Sequence, residues 1–474
     1  MSMGAPRTVW QLLAELYPLP NPREEAWRND PAAWARDRLD AHLWSKQQEI
    51  CTSVATNRRT AVKSCHGVGK SWTAGMLACW WIDTHPPGEA IVVTTAPTYK
   101  QVHAVLWQEI RKQHKRGDLP GRVKLDDEWL IDQDIVGLGR KPADHDEHGF
   151  QGIHRRYVLA ILDEACGIPA NLYTGVEAIT TNADCRILAI GNPDDPNTQF
   201  GRICRPGSGW NIIRISALES PNFTGEPVPD NLAHLLPTPE WVQDAAANWG
   251  EASPVYASKV LGDFPEVGDD TLIHPAWITA AQNADLPEGG PTALGVDVAR
   301  FGADKTVLCL RKGQRYRITS TLTHSPTDQT AGHVIAAQRA NGLPSAQVDG
   351  VGVGGGVVDL LNAYGSPVAD MQAGGAPYGD DAHRFTNARA QWYWSLRRAF
   401  ELGEVDLDPT DDALAAQLGS IRYTYDARGR IKIESKDDMA KRGLPSPDRA
   451  DALMLAHATP RPDGDYGTTF YDIG

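Results

Sequence analysis

The residues best placed to do chemistry lie between Val62 and Trp72, reading VKSCHGVGKSW, where Gly69-Lys70-Ser71 has the form of the end of a phosphate-binding loop. Glycines at 67 and 69 let the backbone curl so that its amides face phosphate oxygens. Lys70 adds a point charge, and Ser71 offers a hydroxyl to Mg²⁺. Ser64 stands where the usual pattern has its first glycine. A second signal is Tyr157 to Asp163 followed by Glu164, an apolar run ending in two acids. Asp163 suits the magnesium shell, and Glu164 can polarise an attacking water. A third run, Arg186 to Ile190, delivers Gly191-Asn192-Pro193, with Asn192 placed to sense a terminal phosphate. Upstream, Gln47 or Gln48 can read adenine through paired hydrogen bonds. Arg202 and Arg205 are candidates to face phosphate.

The second half carries a different chemistry. Asp297, Asp349 and either Asp448 or Asp451 sit on three separate elements. Carboxylates converging from such elements can hold two divalent metals about 4 Å apart, one activating water and one steadying the leaving oxygen of a phosphodiester. Hard oxygen ligands suit Mg²⁺ or Mn²⁺. Taken singly, each aspartate reads equally as a cap on a strand end or helix start.

The elements that must position these groups follow from the apolar patterning. Strands are expected up to Val62 and over Ala90 to Thr95, Tyr157 to Leu162 and Arg186 to Ile190, with helices between them, which makes a parallel sheet covered on both faces. Val123 to Val136 reads as a hairpin. Turn residues around a short helix at Trp277 to Asn283 read as a linker. Beyond it, the run Thr292 to Arg300 begins a new core with Asp297 on its first strand, and further strands are expected at Thr306 to Arg311, Gln314 to Leu322 and Ala346 to Asp349. A tight passage at Gly350 to Gly356 follows, then helices at Val357 to Tyr364 and Asn387 to Leu402 and one opening at Ser446 to Leu453. Asp304 follows a turn at Gly302, and Lys436 lies just past the last strand. The division is an N-terminal arm at 1–42, a nucleotide domain at 43–262, a linker at 263–290 and a second domain at 291–474.

Composition narrows the class. A chain of 474 residues exceeds one ordinary core. No run approaches the length of a membrane span, and no secretory signal is expected. Seven scattered cysteines without CxxC spacing point to a reducing compartment and no structural zinc. A net charge of −14 excludes a generic whole-surface nucleic-acid binder but leaves room for a local basic groove.

Together these motifs resemble the large subunit of tailed-bacteriophage terminase, over roughly residues 30–460. The resemblance is carried by Trp44-x-x-Gln47, Ser64 to Ser71, Thr95-Ala96-Pro97-Thr98 with Gln101, Gly152 to Ala165, Gly191-Asn192-Pro193, Gly295-x-Asp297 with Asp304, Asp349, and Ser446 to Leu453. It implies an α/β chain with a RecA-like P-loop ATPase domain of the additional-strand class, followed by a nuclease domain of ribonuclease H type. By it, Gln47 reads adenine, Lys70 and Ser71 hold phosphate and metal, Asp163 is the metal-shell acid, Glu164 the ATPase base and Asn192 part of a coupling motif. Asp297 and Asp349 match two nuclease metal ligands, with Asp451 or Asp448 the third. The implied cofactors are ATP and Mg²⁺, with Mn²⁺ possible in the nuclease. The implied partners are double-stranded DNA, a portal protein, a small terminase subunit and a homo-oligomeric ring of about five copies, in the cytoplasm of an infected bacterium, away from membranes and absent from the mature virion. Readings in other classes are a helicase or translocase with a vestigial nuclease domain, an inactive prophage scaffold, and a metabolic ATPase or kinase.

Overall fold

The computed structural model describes residues 22–86, 88–141, 150, 152–266, 268, 270–299 and 304–461. Residues 1–21 of the expected arm and the Gly302 turn lie outside the described residues. The chain forms two compact units. One comprises 1–239 with 261–263, and the other 240–260 with 264–474. The division therefore comes earlier than the expected linker. Helix Pro239–Trp249 largely belongs to the second unit, as does helix Pro254–Lys259. The helix expected within the linker, Pro275–Gln282, buries Ile278 and Ala281 in that unit's core. His274 and Asn283 cap its two ends.

The first unit is built on a sheet of eight strands: β1 (Arg59–Ser64), β2 (Ala90–Thr95), β3 (Arg122–Val123), β4 (Glu128–Ile131), β5 (Asp134–Gly139), β6 (Tyr157–Asp163), β7 (Arg186–Gly191) and β8 (Asn211–Ile215). Their order is β3-β4-β5-β2-β6-β7-β1-β8. From β5 to β8 all pairings are parallel, and β3 and β4 add an antiparallel edge. Strand β2 is buried at every position, as a parallel strand covered on both faces must be. Because β6, β7 and β1 are parallel neighbours, the residues after them emerge side by side at one edge. Helix α1 (Ser45–Thr56) precedes β1, and α2 (Lys70–Thr84), almost wholly buried beyond its first turn, follows it.

In the second unit a five-stranded sheet runs β11-β10-β9-β12-β13, with β9 (Thr292–Asp297), β10 (Thr306–Lys312), β11 (Arg315–Leu322), β12 (Ala346–Asp349) and β13 (Val368–Met371). The pairs β9-β12 and β12-β13 are parallel, and the other two are antiparallel. One face, with Leu294, Val296 and Val348, packs on α3 (Thr327–Asn341) and α4 (Val353–Ala363). The expected tight passage ends early, since Gly354, Gly355 and Gly356 form the first turn of α4. Helix α5 (Ala388–Glu401), α6 (Lys436–Lys441) and α7 (Asp448–His457) follow, with a hairpin of β14 (Tyr423–Tyr425) and β15 (Ile431–Ile433) between α5 and α6. Among the described residues, no helix is long and apolar enough to cross a membrane.

Candidate active sites

The first site grows from the edge that β1, β6 and β7 share. Gly67 and Gly69 adopt φ of 72° and 79°, a left-handed region that side-chain-bearing residues avoid. That geometry turns the chain from β1 into the first turn of α2. Lys70 Nζ donates to the Cys65 carbonyl (3.0 Å) and to Asn192 Oδ1 (3.3 Å). Asn192 Nδ2 in turn donates to the Ser64 carbonyl at 2.7 Å. Ser64 is fully buried, and its carbonyl serves as an anchor in the loop. Ser71 Oγ donates to Asp163 Oδ2 at 3.3 Å. Hence Ser64, Lys70, Ser71, Asp163 and Asn192, distant in sequence, are drawn together at one sheet edge.

Asp163 is buried at the end of β6. Burial first, then the adjacent Glu164 charge, push its carboxyl up to about 7. A bound cation would relieve that cost. Glu164 is partly exposed and sits at φ 48°, a conformation costly for a residue with a side chain. Its backbone N–H donates to Asp163 Oδ1 at 3.1 Å.

Gln47, expected to read adenine, lies directly against the phosphate loop, its Nε2 2.9 Å from where a Cβ on Gly69 would stand. It is only 3% exposed. Its Nε2 donates to Thr73 Oγ1 (3.1 Å), and its Oε1 accepts from the Trp44 N–H (3.4 Å). The first bond braces α1 against α2, and the second caps the start of α1 itself. Arg202 and Arg205 are exposed, and Arg205 donates to the Pro196 carbonyl.

The second site lies on the other face of the five-stranded sheet. Period-two alternation puts Gly295 and Asp297 opposite Leu294 and Val296. The parallel register Gln347↔Gly295 sets Asp349 beside Asp297. A Cβ at Gly295 would stand 2.2 Å from the Ala452 carbonyl oxygen and 2.3 Å from the Ala456 nitrogen. Only glycine lets α7 come this near to β9. That approach brings Asp448 and Asp451, one helical turn apart, against the strand acids.

Lys436 stands in the midst of the acids. Its Nζ is 3.3 Å from Asp297, 3.5 Å from Asp448 and 3.1 Å from Asp451. Although burial opposes its charge, the acids raise its pKa. Asp451 also accepts from Tyr393 Oη (2.7 Å) and Arg389 Nη2 (3.2 Å). Burial would raise the Asp451 carboxyl, but Arg389, then Lys436 and Tyr393, outweigh it and hold it below the usual range. Asp448 accepts from the Lys305 N–H at 2.7 Å and from the Ser446 hydroxyl. Asp297 is raised well above the usual carboxylate range by burial, against the pull of Lys436. Asp349 is raised by burial as well.

Four carboxylates thus face two cations, Lys436 and Arg389. Among the described residues, no three His, Cys, Asp or Glu side chains already form a metal cage. The surplus of buried acid and the purely oxygen donor set nevertheless fit a hard divalent cation. Asp304 is exposed. In the sequence Lys436 carries no evident role, and Arg389 and Tyr393 go unnoticed. The only signal for that pair is its i, i+4 spacing on α5.

A phosphate loop wired to a buried strand-end acid in one unit, and a buried acid cluster in the other, define a two-unit enzyme that joins an ATPase to a metal-dependent nuclease. No family model matches the chain. It is 25% identical over 458 residues to the "Probable terminase, large subunit" of Enterobacteria phage P7, covering 88% of this chain and 89% of that one. With the motifs above, this near-complete overlap is a likeness to a terminase large subunit over almost the whole of both chains. Among solved structures, the large terminase from a thermophilic bacteriophage overlaps 88% of this chain and 98% of its own at 13% identity and a TM-score of 0.41. The nuclease domain of the large terminase subunit gp2 of bacterial virus Sf6 overlaps 40% of this chain and 100% of its own at 22% identity and a TM-score of 0.38. Overlaps that loose add nothing to the argument.

Proposed function

We propose that the chain uses ATP to drive viral double-stranded DNA into procapsids and cuts concatemeric DNA with its second unit. The observation carrying this reading is the pairing, in one chain, of the Lys70–Asn192 and Ser71–Asp163 contacts with the Asp297–Asp349–Asp448–Asp451 cluster. The parallel sheet around β1 supports a RecA-like ATPase. The mixed sheet with acids at the ends of β9 and β12 supports a ribonuclease H-like nuclease.

In the first unit, ATP phosphates would lie on the amides of Gly67 to Ser71, with Lys70 as counter-charge. Ser71 and Asp163 would hold Mg²⁺, which neutralises charge on the phosphates. Glu164 is the base that orients and deprotonates the attacking water. Asn192, bonded to Lys70, links the loop to the tip of β7 and so couples nucleotide state to the sheet edge. In the second unit, Asp297 and Asp349, with Asp448 or Asp451, would hold Mg²⁺ or Mn²⁺; the metal supplies an activated water and stabilises the leaving oxygen. Lys436 meanwhile compensates the acids, and Arg389 and Tyr393 fix Asp451.

The likeness to a terminase large subunit supports a portal protein and a small terminase subunit as partners, a ring of about five copies, and work in the cytoplasm of the infected host. The test uses the full-length chain in parallel ATPase and plasmid-nicking assays. Nicking needs Mg²⁺ or Mn²⁺ and survives Lys70→Ala, while ATP hydrolysis survives Asp297→Asn. Loss of both activities in either variant would refute two separate sites.

A further inference from the structure

In the second unit, α5 and the stretch that follows α7 enclose a groove of about 460 Å³. Helical spacing puts Gln391, Ser395 and Arg398 on the side of α5 opposite Arg389 and Tyr393, so this groove is separate from the acid cluster. Its base is aromatic and fixed in place. Trp392 is buried and donates through Nε1 to Tyr378 Oη (3.0 Å), whose own hydroxyl donates to the Thr459 carbonyl. Trp394 lines the groove half-buried. Arg384 and Arg398 are exposed beside it, and neither has a carboxylate within ion-pair reach among the described residues. The groove's own acid, Asp381, accepts instead from Gln391 Nε2 at 3.1 Å.

We propose that this groove docks the chain's own residues 462–474, with the ring of Tyr466 against Trp394 and with Asp463 and Asp465 paired to Arg384 and Arg398. Position, charge and side-chain type all point to that occupant. Thr459 lines the groove, so the segment, PDGDYGTTFYDIG, begins within a few residues of its edge. The stretch from Arg461 to Tyr466 spans at most about 18 Å, and Gly464 and Gly467 let it turn back. Its charge opposes that of the rim, since Asp463, Asp465 and Asp472 come without a lysine or arginine. An indole takes a phenol ring edge-to-face or offset, and a guanidinium takes a carboxylate through two parallel hydrogen bonds. Tethering supplies the rest. A short connection holds the segment at an effective concentration of about 1 mM, so even a free-peptide Kd of about 0.1 mM fills the groove about nine-tenths of the time.

The test is photo-crosslinking in the full-length chain, with p-benzoylphenylalanine in place of Tyr466 and the joined peptides identified by mass spectrometry. The crosslink is expected within one chain, on the peptides that carry Tyr378 and Trp394. Arg384→Glu combined with Arg398→Glu should cut its yield at least about twofold, the scale of two exposed ion pairs turned to repulsion. Adding Asp463→Lys and Asp465→Lys to that pair should restore it. Both arginines are exposed, so the thermal midpoint and the ATPase rate should stay at the wild-type values and show that the fold is intact. A crosslink to another surface of the chain, to a second copy or to added duplex DNA would overturn the docking, as would no crosslink at all. Groove crosslinks at full yield with both arginines reversed would overturn the charge pairing that defines it.

Discussion

The two sites solve the problem of holding charge in opposite ways. The phosphate loop is made mostly of backbone. A handful of consecutive residues bend around two left-handed glycines, and distant side chains only tighten the result. The acid cluster is made of side chains from two strands and a helix, assembled by the close approach that Gly295 permits. Its like charges tolerate one another because Lys436 and Arg389 stand among them. A loop of this kind tolerates changes in its supports, since its amides stay in place. A cluster depends on every member, because removing one changes the protonation of the rest.

The largest effect should break the contrast outright. Asp297→Asn removes the most strongly perturbed acid, and nicking under Mg²⁺ or Mn²⁺ is expected to fall at least about a hundredfold, with ATPase rate unchanged. Nicking at the wild-type rate would make the cluster a structural feature. Next, Glu164→Gln should lower ATP turnover by about 10²–10⁴-fold, the range for a lost general base, with ATP affinity nearly intact. Steady-state rates measured beside equilibrium binding check this.

Asp451 and Asp448 sharpen the cluster side. Asp451→Ala leaves Arg389, itself mostly buried, without its carboxylate, so a loss of about 3–5 kcal/mol in chemical denaturation is expected. Asp448→Ala leaves the Lys305 N–H and the Ser446 hydroxyl without their buried acceptor and should cost about 1–3 kcal/mol. Nicking by each variant, assayed where both are folded, identifies the third ligand. The smallest effect concerns pH. Asp163 has a folded-state pKa of about 7 against an ordinary 3.8. The folded state therefore binds the extra proton, and stability falls as pH rises between those values. Nucleotide-free and metal-free Asp163→Asn should then melt a few degrees above wild type at pH 8, with the gap closing toward pH 5. Melting curves with the same gap at both pH values would contradict the assigned cause.

The same contrast explains what could be read from the sequence. Strands β2 and β12 match their expected bounds, and β6 runs one residue further to Asp163, because buried runs between turn residues leave little choice. The loop was legible because its chemistry is contiguous. Asp297 and Asp349 were legible as strand ends, and register then made them neighbours. Strands β8 and β13 went unread, being short and without a flanking motif. Lys436, Arg389 and Tyr393 matter only through acids at least twelve positions away in the chain, and no local pattern encodes that. Gln47 and Gln48 are adjacent, so spacing could not tell which is buried. The helix α1 decides it by turning Gln47 inward.

The position of β1 has a consequence for synthesis. This early strand pairs with β7 and β8, which leave the ribosome well over a hundred residues later, and Cys65 donates its N–H to the carbonyl of Ile215. Gly262, arriving later still, fits against that same carbonyl, where a Cβ would stand 2.2 Å away. The nascent chain therefore carries an unfinished nucleotide loop through most of the first unit's translation. A ribosome stalled before residue 215 would hold a polypeptide with every loop residue present but without a complete β8 or the Ile215 carbonyl that fixes Cys65 at the start of the loop.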